Sequence, residues 1–292
     1  MTTTVVLPGV PGLGGLYARG AGLAVARRVR SGPSVLPGVS LVVRGVQASA
    51  EHLTDYQHLL GESGSDHLPA GFVHVLAFPV ATALMTRVDF PLPLVGLVHV
   101  ANRVTQLRPL ALGDELEIRA SAADLRAHRS GTQVDLVTEV SVDGSLAWRG
   151  VSTYLARDVF LDGAAASSDD GPTPFVPPTP TGRWTLAGDV GRRYAAVSGD
   201  RNPIHLSALP AKALGFPRAI AHGMYTASRA LADVGAGRGD AFDWSVEFAK
   251  PVLLPGTVTV RIAGTPADGF AFAGWDARSG KPHLTGSVTP LA

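Results

Sequence analysis

Two stretches of the chain alternate between apolar and polar positions at every second residue, the pattern of half-buried β-strands. The apolar positions are Val98, Val100 and Val104 in the first stretch and Phe242, Trp244, Val246 and Phe248 in the second. Further strand-like runs follow each stretch, at 115–123, 132–142 and 146–156 in the first half and at 257–263, 269–276 and 283–289 in the second. The pattern predicts that each half of the chain ends in an antiparallel sheet.

Helical periodicity precedes these strands in both halves. Val190, Tyr194 and Val197 recur at the spacing of one helix face, and Met224, Ala227, Ser228 and Leu231 form a second apolar stripe. The corresponding first-half residues are Leu53, Tyr56, Leu59 and Leu60, followed by the segment 73–85. Both halves are therefore predicted to run from helices into strands.

The two halves also resemble each other in sequence. Residues 108–114 line up with 250–256, and residues 68–74 line up with 216–222. A repeat of about half the chain indicates a duplicated unit. The segment 161–182, rich in proline and small residues, is predicted to be an extended linker between an N-terminal unit, 1–160, and a C-terminal unit, 183–292.

Composition narrows the possible chemistry. The chain of 292 residues contains no cysteine, which excludes disulfides, thiolate metal sites, iron–sulfur clusters and a cysteine nucleophile. A net charge of +1 gives no basic surface for nucleic acid. The sequence also lacks a complete dinucleotide-binding glycine motif and the serine-hydrolase elbow motif. We therefore expect oxygen and imidazole groups to do the chemistry, with no metal and no bound cofactor.

Targeting signals are not evident in the sequence. The first residues lack a basic segment, and Pro8 and Pro11 interrupt the apolar stretch that a signal peptide would need. The longest apolar run, 72–85, contains His74 and Pro79 and is shorter than the roughly 20 residues that cross a bilayer. These features predict a cytoplasmic protein that does not bind membranes.

One segment of the second half concentrates the candidate chemistry. Tyr194 is followed by the run Ser198-Gly199-Asp200-Arg201-Asn202-Pro203-Ile204-His205, and Ala221-His222-Gly223-Met224 lies downstream. Gly199 permits a sharp break after the helix, and Pro203 fixes the turn between Asp200 and His205. Both side chains can therefore converge on one water molecule as a proton-handling pair. Gly223 begins a predicted helix, where its N–H is an unpaired donor suited to a negatively charged oxygen.

This segment resembles the signature of the MaoC-like dehydratases, the (R)-specific enoyl-thioester hydratases: a tyrosine, then S/T-G-D-x-N-P-I/L-H. The whole chain is similar to the double-hot-dog members of that family, which implies an α+β fold of two tandem units, each a central helix wrapped by an antiparallel sheet. The resemblance further implies an enoyl-CoA hydratase 2 type lyase that interconverts trans-2-enoyl and (3R)-3-hydroxyacyl thioesters in fatty-acid metabolism. Asp200 and His205 would be the catalytic dyad, Asn202 would fix the loop or the water, and the Gly223 amide would bind the thioester carbonyl.

The first half is a degenerate copy of this segment. Glu62 falls at the place of Asp200 and His67 at that of His205, whereas Asn202 and Pro203 are replaced by Gly64 and Ser65. This predicts one active centre per chain, with the first unit shaped to accept a medium or long acyl tail. His222 is expected to be structural, because His74 occupies the same place in the degenerate half.

Two other functions fit the same fold. A hot-dog thioesterase would direct water at the thioester carbonyl, although the N-P-x-H continuation argues against it. A non-catalytic acyl-binding or partner subunit should have lost the Asp200 and His205 pair, which is intact. The sequence leaves open the acyl carrier, either CoA or acyl carrier protein, and the physiological direction. It also leaves open the division of acid and base roles and the choice between a monomer, as a pseudo-dimer, and a homodimer.

Overall fold

The computed structural model describes residues 2–27, 33–161, 174–265 and 268–291. Its helices are α1 (Leu13–Arg27), α2 (Ala50–Leu60), α3 (Ala70–Met85), α4 (Val190–Ser198), α5 (Pro203–Leu206), α6 (Ala208–Ala213) and α7 (Gly223–Val234), with a 3-10 turn at Gly235–Arg238. Its strands are β1 (Thr3–Val6), β2 (Val39–Val46), β3 (Leu97–Gln106), β4 (Leu116–His128), β5 (Gly131–Val142), β6 (Ser145–Arg157), β7 (Gly182–Leu186), β8 (Phe242–Phe248), β9 (Gly256–Gly264), β10 (Phe270–Trp275) and β11 (Pro282–Pro290). Among the described residues, no helix is both long enough and apolar enough to span a membrane.

The chain forms two compact units. The first contains residues 1–47, 76–102 and 113–172, and the second contains 48–75, 103–112 and 173–292. The second unit therefore includes α2 and the start of α3. Most of the predicted linker, residues 162–173, lies outside the described part of the chain, and residues 174–180 form neither helix nor strand. The division at 160 and 182 stays a prediction.

In the first unit the strand order is β1-β2-β4-β5-β6-β3. β1 pairs with β2 in parallel, while β2, β4, β5 and β6 pair antiparallel. Alternate residues of β4, namely Leu116, Ile118 and Ala120, are buried, which places one face of the strand in the core. The predicted strands of this half are confirmed, with β4 running five residues beyond its predicted end at 123.

In the second unit the antiparallel strand order is β8-β11-β10-β9-β7. Phe242, Trp244 and Val246 of β8 are each 1% exposed, so the alternation in the sequence marks the buried face of this strand. α7 contacts β9 and β11, and its buried residues include Ala227 and Leu231. The unit is therefore an antiparallel sheet packed against a helix, in the predicted order of elements.

Helices α2, α4 and α7 pack together in the second unit. Leu53, Tyr56 and Leu60 are the buried face of α2. Gly71, at the start of α3, must be a glycine because a Cβ atom there would overlap the Tyr56 hydroxyl and the Ser228 Oγ of α7. This packing fixes α2 close to the end of α4, where the candidate site begins.

Candidate active site

The candidate site begins at a sharp turn directly after helix α4. Gly199 has a φ of 71°, a left-handed conformation that strongly favours glycine, and its N–H donates to the Ala195 carbonyl at 3.0 Å. The chain therefore leaves the helix axis at once, and Asp200 begins the next segment. The break predicted at Gly199 is confirmed.

The turn from Asp200 to Pro203 is held by its own side chains. The Asn202 N–H donates to Asp200 Oδ1 at 3.1 Å, and the Asp200 N–H donates to Ser198 Oγ at 3.2 Å. Asn202 Oδ1 in turn accepts from the Ile204 N–H at 3.4 Å and caps α5, with Pro203 at the first helical position. Of the two roles expected for Asn202, this geometry supports fixing the loop.

His205 is held in one orientation and is almost fully buried. Its Nδ1–H donates to the Ile220 carbonyl at 2.9 Å, because a carbonyl can only accept. Burial lowers the pKa of His205, against the opposing influence of Asp200. The neutral ring therefore carries its lone pair on Nε2, the nitrogen that is free to take a proton.

The segment 219–221 supports His205 from the other side. The Ile220 N–H donates to the Ile204 carbonyl at 3.1 Å. The Ala221 N–H donates to the Val252 carbonyl at 2.9 Å, and the Leu254 N–H donates to the Ala219 carbonyl at 2.8 Å. The segment repeated between the halves, 250–256, thus anchors the strand-like stretch that accepts the His205 hydrogen bond.

His222 lies directly against both members of the candidate dyad. Its ring stacks on that of His205 with centroids 3.7 Å apart, and its Nε2–H donates to the Asp200 backbone carbonyl at 3.0 Å. The same nitrogen is 3.7 Å from Asp200 Oδ2. Burial, followed by the influence of His205, lowers the pKa of His222 to about 3, so this ring is neutral at physiological pH. His222 therefore fixes the Asp200 backbone, a contact that sequence reasoning did not foresee.

Asp200, His205 and His222 each contribute one oxygen or nitrogen to a group of atoms within 4.8 Å of one another. A carboxylate and two imidazoles of this kind are also able to hold a metal ion. The prediction that catalysis needs no metal therefore requires a direct test.

Chelation is expected to leave the activity of the protein unchanged. The proton transfer expected of Asp200 and His205 needs no Lewis acid, so dialysis against EDTA should alter the rate of the reaction by less than about twofold. Metal content measured by mass spectrometry before and after dialysis provides the control. A loss of activity that returns with one added divalent ion would assign the cluster to a metal instead.

Gly223 opens α7 directly beside His222. Its N–H has no carbonyl four residues earlier within the helix, so it is one of the unpaired donors of a helix N-terminus. A Cβ at this position would lie 3.0 Å from Phe248 Cε1, tighter than ordinary side-chain packing. The glycine therefore lets the Phe248 ring of β8 approach the start of the helix.

Gly191 is a site residue that the sequence pattern did not single out. It lies in the first turn of α4, where an added Cβ would overlap the backbone carbonyl of His205. The missing side chain lets α5 pack directly on α4. No local motif marks this requirement, because it depends on contact between two helices.

Comparison with known proteins identifies the family. A MaoC-like domain model matches residues 177–270. The 3-hydroxyacyl-thioester dehydratase X of Mycobacterium tuberculosis is 39% identical over 262 residues, covering 88% of this chain and 91% of that protein.

The chain belongs to the MaoC-like dehydratase family. It is therefore an enzyme of the hydratase and dehydratase class, as predicted. The crystal structure of HtdX from M. tuberculosis has a TM-score of 0.77 and 36% identity, covering 86% of this chain and all of that one. A MaoC-like dehydratase from Phytophthora capsici shares the fold, with a TM-score of 0.70 at 18% identity over 86% of this chain and 95% of that one. These likenesses confirm the predicted α+β double-hot-dog fold.

The degenerate copy of the motif has different partners in this MaoC-like protein. Glu62, the counterpart of Asp200, lies just after α2 with a side chain 7% exposed and pairs with Arg238 at 3.3 Å. Burial raises the Glu62 pKa, and Arg238 opposes that change. Arg238 also donates to the Leu231 and Gly235 carbonyls at the end of α7. His67, the counterpart of His205, forms a backbone bridge with Ala111.

Replacing Arg238 by Met is expected to destabilise the MaoC-like fold by about 2 kcal/mol. The variant leaves the Glu62 carboxylate buried without its cation and removes a donor from the end of α7. Urea unfolding at pH 7 measures the change. The double variant Arg238→Met with Glu62→Gln should recover part of the loss, whereas equal losses in the single and double variants would contradict the pairing.

The buried His74 is expected to make stability depend on pH. Burial lowers the His74 pKa to about 4, while Asp200 acts in the opposite direction, so the ring is neutral in the folded state. The unfolded chain, with a histidine pKa near 6.5, binds more protons between these values, and stability therefore falls as pH decreases through this window. The contribution of His74 should fall by about 2 kcal/mol from pH 7 to pH 5.

Urea unfolding of wild type and His74→Gln at both pH values tests this expectation. His205 and His222 act in the same direction, so the difference between the two proteins isolates His74. The His74→Gln variant should lose about 2 kcal/mol less than wild type on acidification. Equal losses would show that His74 is not held neutral.

Proposed function

We propose that this protein catalyses the reversible hydration of trans-2-enoyl thioesters to (3R)-3-hydroxyacyl thioesters. The observation that carries the proposal is that polar atoms of Asp200 and His205 lie within 4.8 Å of each other, with His205 Nδ1 anchored on the Ile220 carbonyl. The activity named for the 39% identical mycobacterial relative, 3-hydroxyacyl-thioester dehydratase, supports it. The Gly223 amide and the Asn202 loop complete the proposed site.

His205 is the proposed base for the attacking water. Its Nε2 takes one proton from water as the oxygen bonds to C3 of the enoyl group, and the electron pair of the C2–C3 double bond moves toward the thioester carbonyl. The resulting imidazolium then gives its proton to C2. Asp200 orients the water and stabilises the imidazolium, and dehydration follows the same steps in reverse. This assignment is our proposal for the division of roles that the sequence left open.

The Gly223 amide is proposed to bind the thioester oxygen. Negative charge accumulates on this oxygen during addition, and the N–H at the start of α7 is a fixed donor for it. Losing one such donor typically costs about 3 kcal/mol of transition-state stabilisation. The absence of a side chain at Gly223 lets the thioester approach the amide.

One active centre per chain follows from the two versions of the motif. Glu62 is paired with Arg238, so it is not available as a second catalytic carboxylate. We propose that the first hot-dog unit accommodates a medium or long acyl chain, carried on CoA or acyl carrier protein. We further propose that the enzyme works in the cytoplasm as a monomeric pseudo-dimer or a homodimer, without nucleic-acid or membrane partners.

A single assay separates the proposed function from its alternatives. Incubation with crotonyl-CoA and with a longer trans-2-enoyl-CoA is followed both by the enoyl absorbance and by a thiol reagent for free CoA. Hydration predicts loss of absorbance without release of CoA. Release of CoA would indicate a thioesterase, and binding without either change would indicate an acyl-binding subunit.

Chain-length preference is tested with the same assay on C4 to C16 substrates. The proposal predicts the highest kcat/KM for medium or long chains. Turnover of the C4 substrate alone would overturn the assignment of the N-terminal hot-dog unit to the acyl tail.

A further inference from the structure

A histidine outside the motif reaches the helix that carries the proposed dyad. His52 lies in the first turn of α2, and its Nε2–H donates to the Val197 carbonyl of α4 at 2.5 Å. Val197 is three positions before Asp200 and lies next to Ser198, whose Oγ accepts from the Asp200 N–H. Both helices belong to the second unit.

The Val197 carbonyl needs a donor from outside its own helix. α4 ends at Ser198, so the residue four positions on, Arg201, lies beyond the helix and cannot supply the usual N–H. The cap at Gly199 satisfies the Ala195 carbonyl instead. His52 therefore provides a hydrogen bond to the last turn of α4, immediately before the catalytic turn.

His52 is itself held in place from two sides. Its backbone N–H donates to Ser49 Oγ at 3.2 Å, which caps the start of α2. Its ring packs edge-on against Phe72, with centroids 4.8 Å apart. A donor on a capped helix, braced by a buried aromatic ring, has little freedom to leave the Val197 carbonyl.

We propose that His52 is a positioning residue for the proposed hydration reaction, acting through the Val197 carbonyl to hold the turn that presents Asp200. The inference rests on the proposed function of Asp200 and His205. His52 does not touch the reacting atoms, so its loss should reduce kcat and leave substrate binding nearly unchanged. Small misplacements of a catalytic group produce large losses of rate. Loss of the hydrogen bond from His52 to the Val197 carbonyl should lower kcat about tenfold.

The test compares three variants of the full chain in the enoyl-CoA hydration assay. His52→Leu removes the donor and should lower kcat about tenfold with KM within about twofold. His52→Gln keeps an N–H donor at similar reach and should recover kcat to within about threefold of wild type. His58→Leu makes the same change at an exposed position of the same helix and should have wild-type kinetics.

Amide hydrogen exchange, measured without substrate, tests the positioning role of His52 independently of the proposed function. The amides of residues 198–202 should exchange about tenfold faster in His52→Leu than in wild type, and His52→Gln should restore their protection. If the leucine variant does not fold, His52→Asn, which is too short to reach Val197 but stays polar, should show the losses expected of His52→Leu in both readouts. Unchanged exchange and unchanged kcat in folded His52→Leu or His52→Asn would overturn the proposal. If the wild-type protein has no hydratase activity, only the proposed function is refuted. The exchange experiment still tests whether His52 holds the turn after α4.

Discussion

Replacing Asp200 by Asn is expected to lower kcat for enoyl-thioester hydration about a thousandfold, and His205→Gln should have a similar effect. The asparagine side chain of the first variant would retain an oxygen for the Asn202 N–H, so the turn should persist while the negative charge is lost. His205→Gln removes the nitrogen proposed to take the proton from water. Steady-state kinetics on a medium-chain enoyl-CoA measures both effects.

The double variant should be little worse than either single variant, because the two groups act as one unit. Asp189→Asn is the matched control, since Asp189 precedes α4 without a side-chain capping bond and should tolerate the change. Circular dichroism verifies that each variant is folded. Full activity in Asp200→Asn and His205→Gln would show that the catalytic centre lies elsewhere.

Replacing Gly191 by Ala is expected to lower kcat about a hundredfold without touching any reacting group. The new methyl group would overlap the His205 carbonyl, so α5 must shift away from α4 and carry His205 with it. The hydrogen bond from His205 Nδ1 to the Ile220 carbonyl would be strained or lost. Overpacking of this kind also destabilises a fold by about 1–3 kcal/mol, which thermal unfolding measures.

Gly188→Ala is the matched control for this prediction. A Cβ at Gly188 would lie 3.6 Å from Pro255 Cδ, an ordinary packing distance, so the change should leave both kcat and stability near wild type. Wild-type kcat in Gly191→Ala would show that the contact between α4 and α5 does not set the position of His205.

The periodicity of apolar residues predicted many of the helices and strands, because an element that buries one face repeats its apolar residues at a fixed spacing. The apolar stripe with Met224 and Leu231 became α7, and the alternation from Phe242 to Phe248 became β8. The helix α1, the strands β1, β2 and β7 and the short helices α5 and α6 were not predicted. Short elements such as β7, with five residues, contain too few repeats of the apolar–polar alternation to reveal a period.

The candidate site was predictable where it is local in sequence. The turn at Gly199, the convergence of Asp200 with His205 and the start of α7 at Gly223 each follow from residues a few positions apart. The contacts of His52, Gly191 and Arg238 depend on segments distant in sequence, and no local pattern encodes them. His222 was expected to be structural, and the structure adds that it binds the Asp200 carbonyl while stacking on His205.

The stereochemistry of the hydration product tests the central claim most directly. The protein is incubated with trans-2-octenoyl-CoA, and the products are released by mild hydrolysis after quenching and resolved by chiral chromatography. A (3R)-hydratase centred on Asp200 and His205 predicts (3R)-3-hydroxyoctanoate, formed about a thousandfold more slowly by the Asp200→Asn variant. A (3S) product, or a (3R) product formed equally well by that variant, would contradict the account.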